Sequence, residues 1–167
     1  MLIRTKKEAD LDGVYGVNIS AFETSAEADL VNALQEQAQP VISLVAEDNE
    51  KVVGHIMFSP VSLSGHPDLK IMGLAPMAVA PEYQRKGIGT ALVEAGLEHC
   101  RQLDFTAVVV LGHPEYYPRF GFSPSSEFGI ASEYEVPEEV FMAMELQPGS
   151  LSGMTGIVKY HSTFNNV

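Results

Sequence analysis

Apolar positions in the N-terminal part of the chain predict a short strand followed by two helices. The strand is Leu2–Thr5, and residues 8–22 then repeat apolar side chains at helical spacing. A second helix should begin after Ser25, which offers a cap for its free amides, and end near Gln37, before Pro40. The residues expected along one side of each helix are Leu11, Val14, Tyr15, Asn18 and Ile19 in the first, and Ala26, Asp29, Leu30, Ala33 and Leu34 in the second.

The next part of the chain alternates apolar runs with polar turns, a pattern typical of strands. Residues 41–47 and 51–60 flank a short polar turn, which predicts an antiparallel hairpin. A second turn, 64–68, leads into the apolar run 71–80. Pro81 ends this run because proline has no amide hydrogen for a strand ladder.

A central helix is predicted after that run, and further strands follow it. Residues 105–111 form a continuous apolar run that fits a strand covered on both faces. A short helix at 115–120, a core strand at 140–146 and one more strand around 157–160 complete the pattern. The face predicted for the central helix consists of Ile88, Ala91, Leu92, Ala95 and Leu103, broadened by Val93 and Leu97.

Length and composition indicate one globular domain. The chain has 167 residues, 46% of them hydrophobic, which is enough to bury a core. We expect a domain over residues 1–146 and a C-terminal extension, 147–167, packed on it. The apolar runs are shorter than the roughly 20 residues that cross a bilayer, and the N-terminus lacks a signal-peptide pattern. These features predict a cytoplasmic protein without a membrane partner.

Charge and cysteine content reduce the number of possible partners and ligands. The formal net charge of -12, with only 10 lysines and arginines, argues against a nucleic-acid partner and favours cationic substrates. The five histidines show no metal-ligand spacing with cysteine or paired carboxylates, so no metal is expected. The single cysteine, Cys100, cannot form a disulfide within the chain, and its place in the predicted helix favours a buried apolar role.

The clearest chemical signal is the sequence Gln-Arg-Lys-Gly-Ile-Gly at residues 84–89, between the run 71–80 and the central helix. The start of a helix leaves amides without intrahelical partners and carries partial positive charge, so an anion can dock there. Gly87 and Gly89 let a phosphate approach the backbone. The arrangement suits a cofactor with a pyrophosphate. Arg85 and Lys86 are candidate contacts for this cofactor. The alternative is that they belong to a solvated turn and bind no ligand.

Two common phosphate-binding patterns do not fit this loop. A P-loop needs Gly-Lys-Ser/Thr after four spacer residues, and none follows here. Leu92 stands where the dinucleotide fingerprint has its third glycine. The cofactor is therefore expected to belong to another class that carries a pyrophosphate.

Residues 77–89 resemble the acetyl-CoA loop of the GNAT superfamily of N-acetyltransferases, in which Gln/Arg-x-x-Gly-x-Gly/Ala follows a strand ending in Val-x-Pro. Residues 116–122, Tyr-Tyr-Pro-Arg-Phe-Gly-Phe, resemble the family's aromatic-Tyr-x-x-x-Gly-Phe element. The resemblance covers about residues 2–146. The sequence of residues 112–122 is similar to that of a small bacterial-type branch of predicted acetyltransferases. The chain has Val-Leu-Gly-His at 110–113, where many relatives carry Asn-x-x-Ala.

The resemblance implies a fold, a cosubstrate and an acceptor. The fold is α/β (α+β mixed), with a central mixed, mostly antiparallel sheet flanked by helices and splayed between strands 4 and 5. The implied cosubstrate is acetyl-CoA (coenzyme A), and no metal is implied. The implied acceptor is a primary amine of a small molecule or peptide. A homodimer is compatible with this cosubstrate and this acceptor. The residues implied to bind the cofactor are Met77, Ala78, Val79, Gln84, Arg85, Lys86, Gly87, Ile88, Gly89 and Thr90.

The same resemblance implies a chemical step, in which the amine attacks the thioester and passes through a tetrahedral intermediate. Tyr117 occupies the family's acid position, and an ordinary tyrosine pKa of about 10 is close to that of a thiol, about 8.5. A bulge in the run 71–80 is implied to free amides around residues 77–79 for the oxyanion. Tyr116 is expected to pack against neighbouring side chains instead.

The sequence leaves the general base open. Glu27 is the first candidate, beside Glu23 near the joint between the two opening helices, and a solvated carboxylate is its alternative role. His55 and His113 are further candidates because their ordinary pKa suits a base, although a lone histidine is more often structural. A different class of function also fits the loop, namely a non-catalytic acyl-CoA-binding or regulatory module.

Overall fold

The computed structural model describes residues 1–166, in which strands form a nine-stranded sheet with helices on both faces. The strands are β1 (Leu2–Thr5), β2 (Ile42–Asp48), β3 (Lys51–Leu63), β4 (His66–Val79), β5 (Ala107–Leu111), β6 (Ser123–Pro124), β7 (Ile130–Ser132), β8 (Phe141–Glu145) and β9 (Gly156–Lys159). The α-helices are α1 (Leu11–Ala21), α2 (Ala26–Gln37) and α3 (Ile88–Gln102).

The sheet is mixed and mostly antiparallel, as predicted. Its strands follow the order β1-β2-β3-β4-β5-β8-β6, and along this path only β4 and β5 run parallel within residues 1–166. β9 pairs antiparallel with the end of β3 and parallel with the short β7. The predicted hairpin is present as β2 and β3, which pair from Ile42 opposite Phe58 to Asp48 opposite Lys51.

The predicted splay between strands 4 and 5 is also present. β4 and β5 pair only where residues 71–73 face residues 107–109, and the rest of β4 continues to Val79 against β3 alone. Two residues of β4, Ala75 and Pro76, stand opposite the single residue Met57 of β3, which is the arrangement of a β-bulge. The bulge turns β4 away from β5, and a gap opens between their ends.

Both faces of the sheet are covered, and β5 shows this most clearly. Val108 and Val110 belong to the core beneath α3, whereas Val109 belongs to the core on the opposite face. All of them are buried, which confirms the prediction of a strand covered on both sides. On that opposite face, α1 and α2 pack over the β2 and β3 side of the sheet.

The predicted apolar face of α1 was wrong in part. Val14 and Asn18 are buried as predicted, whereas Leu11 and Ile19 are exposed and Val17 is buried in their place. Asn18 is buried because its side-chain amide donates to the carbonyl of Val14 at 3.0 Å and lies 3.3 Å from a histidine ring nitrogen. A polar residue with partners can thus occupy the buried side while leucine and isoleucine face solvent.

Three local predictions also need correction. Leu103 lies one residue beyond α3 and is exposed, because the chain turns away at Asp104, which has a φ of 63°. The Ser25 hydroxyl does not cap α2 but donates to Asp29 at 3.0 Å, while Thr24 accepts a hydrogen bond from the first amide of the helix. The turn predicted at 64–68 is shorter, since β3 reaches residue 63 and β4 begins at 66.

The residues after 146 return to the sheet through β9. Lys159 stands opposite Ser62 of β3, and Val158 stands opposite Leu63. Leu151 and Tyr160 are buried in the core that contains Val158. A domain boundary at 146 remains a prediction, and Val167 lies outside the described residues.

Candidate active site

The loop at residues 84–90 presents backbone amides that the protein itself does not use. Gly87 precedes α3 with a φ of 84°, and Arg85 has a φ of 63°, so both lie in the left-handed region where glycine is favoured. Within the described residues, no amide from 85 to 90 donates a hydrogen bond to a protein acceptor; the first helical bond runs from the Ala91 amide to the Gly87 carbonyl at 3.0 Å. These amides are available to an anion.

A cavity of about 350 Å³ lies over this loop, and we call it the loop cavity. It contains seven of the predicted cofactor residues, but Lys86, Met77 and Ala78 do not line it. Lys86 instead lies over the ring of Tyr83, 5.4 Å from its centroid. The lining residues are Val79, Tyr83, Gln84, Arg85, Gly87, Ile88, Gly89, Thr90, Tyr116 and Arg119.

Arg119 adds a cation to the loop cavity that was not among the predicted cofactor residues. Its guanidinium lies 4.4 Å from the ring centroid of Tyr116, and its Nε donates to the Tyr116 carbonyl at 2.8 Å. The Tyr116 hydroxyl lies 3.0 Å from the hydroxyl of Thr90 on α3. These contacts tie the second motif to the loop. The sequence did contain a signal for this role, because Arg119 lies inside the motif at residues 116–122 of a strongly acidic chain.

The end of β4 directs two amides into the gap beside β5. The amide of Ala80 donates to the Val53 carbonyl of β3 at 2.9 Å. Successive amides of a strand point to opposite sides, so the amide of Ala78 also faces β3. The amides of Met77 and Val79 therefore face the gap, where β5 no longer pairs with β4. Of the predicted residues 77–79, two have amides free for a ligand.

The Gln84 side chain connects the loop to this strand. Its Nε2 donates to the carbonyl of Val79 at 2.9 Å, which agrees with the polar groups of Val79 facing away from β3. The loop and the free edge of β4 are thereby held in one position relative to each other.

A second cavity, of about 430 Å³, lies in the gap between β4 and β5, and we call it the cleft cavity. Tyr117 and Glu27, the two predicted catalytic residues, both line it. Its remaining lining residues are Phe22, Leu30, Leu74, Ala75, Pro76, Met77, Leu111, Gly112, His113, Tyr134, Tyr160 and Phe164. Since Met77 lines the cleft cavity and Val79 the loop cavity, β4 runs between the two.

Tyr117 is held at the cleft by close packing on several sides. It is buried, and its ring meets those of Tyr116 and Phe122 edge-on, with centroids 5.1 and 5.8 Å apart. Gly112 lies directly against the same ring, where a Cβ atom would stand 2.8 Å from Tyr117 Cδ2 and closer to Cε2. Burial, and to a lesser degree Tyr116, raises the pKa of Tyr117 to about 12.

The candidate bases differ in their positions. Glu27 is half-buried and His113 is exposed, and both line the cleft cavity. His55 is fully buried away from it, with Nε2 2.8 Å from the Ser43 hydroxyl and Nδ1 3.3 Å from the Asn18 amide. Burial lowers the pKa of His55 to about 3. His55 is therefore a neutral structural residue.

Comparison with known proteins agrees with this geometry. The model of the acetyltransferase (GNAT) family matches residues 11–122. The chain belongs to the GNAT family. It is 38% identical to the uncharacterized N-acetyltransferase YhbS of Escherichia coli over 166 residues, with 99% of each chain covered.

Two solved GNAT structures cover nearly the whole chain. The crystal structure of Escherichia coli YhbS in complex with CoA matches with a TM-score of 0.92 at 37% identity, covering 98% of this chain and 91% of that one. A GNAT family acetyltransferase from Brucella melitensis in complex with acetyl-CoA matches with a TM-score of 0.81 at 32% identity, covering 98% and 97%. The family predicted from the two motifs is thus confirmed.

The residues that line the cleft cavity lie on both sides of Phe122, where the match to the GNAT family model ends. Tyr117 and Glu27 lie inside the matched range, whereas Tyr134, Tyr160 and Phe164 lie beyond it. Among residues 1–166, no group of three histidine, cysteine or acidic side chains is arranged to hold a metal ion. Over the same residues, no helix combines the length and apolar character needed to cross a bilayer.

Proposed function

We propose that this protein is an acetyl-CoA-dependent N-acetyltransferase that acts on a primary amine. The observation that carries the proposal is the free edge of β4, which leads from a loop of unpaired amides to a cleft containing a buried tyrosine. YhbS and the Brucella melitensis protein, crystallised with CoA and acetyl-CoA, support the choice of cosubstrate.

The pyrophosphate of the cofactor would occupy the loop cavity. Amides from 85 to 90 supply donors, and the partial positive charge at the start of α3 favours the anion. Arg85 and Arg119 add full positive charges beside it. Lys86 would contribute through its charge from outside the cavity wall.

The pantetheine arm of the cofactor would follow the free edge of β4. Its amide groups can pair with that edge as an added strand would, because β5 has left the position. The amides of Met77 and Val79 are the donors on that side, and those nearest the thioester can stabilise the oxyanion. This role does not extend to the amide of Ala78, which faces β3.

The chemical step would join the amine nitrogen to the acetyl carbon. The neutral amine attacks the thioester carbonyl, a tetrahedral oxyanion forms, and its collapse breaks the carbon–sulfur bond. The nitrogen loses a proton to a base, and the departing thiolate takes a proton from Tyr117. Glu27 is the preferred base because it is the one carboxylate among the described residues that line the cleft cavity, with His113 as the alternative.

The raised pKa of Tyr117 affects how the proton transfer works. At a pKa of about 12 the phenol stays protonated throughout neutral pH, as a donor must. Its acidity is then lower than the sequence alone suggested. Transfer to a thiolate whose conjugate acid has an ordinary pKa of about 8.5 is therefore uphill, and desolvation of the thiolate, which raises the pKa of the thiol, reduces the difference.

Two experiments test the proposal. Millimolar acetyl-CoA should raise the unfolding temperature, since a ligand of the native state stabilises it by mass action. Tyr117→Phe should lower kcat by about a hundredfold and leave the acetyl-CoA Kd nearly unchanged. Undiminished turnover in this variant would remove Tyr117 from the mechanism. Tight acetyl-CoA binding without CoA release for any amine would favour the regulatory module instead.

A further inference from the structure

The cleft cavity has an aromatic wall built by the C-terminal part of the chain. Tyr134, Tyr160 and Phe164 form this wall, and all three follow the last residue that the GNAT family model matches. The rings of Tyr134 and Tyr160 stack with centroids 5.9 Å apart, and those of Tyr160 and Phe164 lie 5.1 Å apart. We call these three residues the C-terminal wall.

The wall is fixed to the sheet at the point where β4 and β5 part. A Cβ atom on Gly73, the last residue of β4 paired with β5, would lie 2.9 Å from Tyr160 Cε1. The missing side chain therefore gives the tyrosine ring its place against the strand. The backbone amide of Tyr160 donates to the carboxylate of Glu133 at 2.6 Å, which holds the segment before Tyr134 as well.

The cavity walls suit an apolar body with a cationic or neutral head. Aliphatic and aromatic side chains make up most of the lining, Glu27 is its one carboxylate, and the described part of the chain contributes no lysine or arginine to it. Four exposed glutamates, at 133, 135, 138 and 139, flank Tyr134. An acceptor with a carboxylate would lose its hydration without gaining a positive partner.

We propose that the C-terminal wall selects the acceptor, and that this acceptor is a small primary amine on an aromatic or branched apolar body without a carboxylate. The inference rests on the proposed N-acetyltransferase function. The volume of about 430 Å³ lies in the range of roughly 300–1,000 Å³ typical of small-molecule sites. The amine enters uncharged or sheds its proton near Glu27, and its apolar body packs on the wall.

The test is a kinetic comparison of amines that differ by one group. CoA release is measured with 2-phenylethylamine, ethylamine, L-phenylalanine, cadaverine and a lysine peptide. We expect kcat/KM for 2-phenylethylamine to exceed that for ethylamine by at least about tenfold, because apolar contact of that size is worth this much. We expect it to exceed that for L-phenylalanine by about a hundredfold or more, because of the added carboxylate.

Variants of the wall separate recognition from folding. Phe164→Ala, at a half-buried position, and Tyr134→Leu should raise KM for 2-phenylethylamine by about tenfold and bring its preference over ethylamine towards unity. The KM for acetyl-CoA should not change. Ile157→Ala, which shortens an exposed apolar side chain on the neighbouring β9, serves as the control and should behave as wild type.

Each other outcome has a definite meaning. A preference for cadaverine, L-phenylalanine or the lysine peptide would overturn the inference and leave the N-acetyltransferase proposal standing. Wall variants that lower the rates of all amines equally would show a structural role only and would also overturn it. Failure of wild-type protein to bind acetyl-CoA would instead refute the proposed function.

Discussion

Replacing Gly112 by alanine should displace the ring of Tyr117. A Cβ atom at this position would lie 2.8 Å from Tyr117 Cδ2, whereas ordinary contacts begin at 3.4 Å, so the ring must retreat by at least 0.6 Å. Overpacking of this kind costs about 1–3 kcal/mol of stability. A displacement near 1 Å in a catalytic group can lower a rate by about a hundredfold. We therefore expect kcat to fall by about ten- to a hundredfold.

The assay pairs thermal unfolding with steady-state CoA release. For a chain of this size, a loss of 1–3 kcal/mol lowers Tm by several degrees, at about 2–4 °C per kcal/mol. Gly16→Ala is the control, because Gly16 lies exposed in α1 with no atom within 4 Å of an added Cβ. That variant should gain up to about 1 kcal/mol and keep wild-type turnover.

Two results would refute this reasoning about Gly112. Wild-type Tm and kcat in Gly112→Ala would mean that the ring of Tyr117 is not held against this residue. A lower Tm with unchanged kcat would mean that the position of the ring does not matter for proton donation. Either result would weaken the role proposed for Tyr117.

The remaining predictions concern the loop cavity and the buried histidine. Gly87→Val should raise the acetyl-CoA Kd at least tenfold in calorimetry, because valine disfavours a φ of 84°; wild-type affinity would contradict the loop assignment. Arg119→Gln should weaken acetyl-CoA binding about fivefold and reduce its salt dependence, and an unchanged Kd would remove Arg119 from the site. The unfolded chain protonates His55 near pH 6.5 but the folded chain only near 3, so the free energy of unfolding should fall by about 2 kcal/mol from pH 7 to 5. Urea titrations measure this, and an equal loss in His55→Gln would assign it to other groups.

Local patterns predicted the parts of the fold that depend on neighbours in sequence. The strand before the loop, the helix after it and the hairpin of β2 and β3 each follow from spacing and turn residues. The buried side of α1 was predicted only in part in this way, because Leu11 and Ile19 are exposed and Val17 is buried. Spacing placed Asn18 on this side, but not the partner that its buried amide needs, because His55 lies on a strand 37 residues away in the chain. Such a pairing leaves no local signal.

The candidate site also has one part that the local sequence predicts and another part that it does not. The residues of the loop cavity come mostly from one continuous stretch, so a motif could indicate them. The cleft cavity gathers side chains from Phe22, just after α1, and from α2 through to Phe164, and Tyr160 reaches it because β9 pairs with β3. The free amides of Met77 and Val79 depend on where β5 stops pairing with β4. No single segment carries that information.

If the protein is the acetyltransferase proposed above, the hydrogen bond from Gln84 to the Val79 carbonyl should make it sensitive to the length of its acyl carrier. Together with the contact between the Thr90 and Tyr116 hydroxyls, it sets the span from the loop amides to the phenol of Tyr117. A carrier anchored at its phosphates can deliver its thioester to the phenol only if its arm matches that span. Truncated thioesters such as acetyl-N-acetylcysteamine lack the phosphates that would bind the loop amides. They would be held at the thioester end at most, so we expect them to be poor acetyl donors.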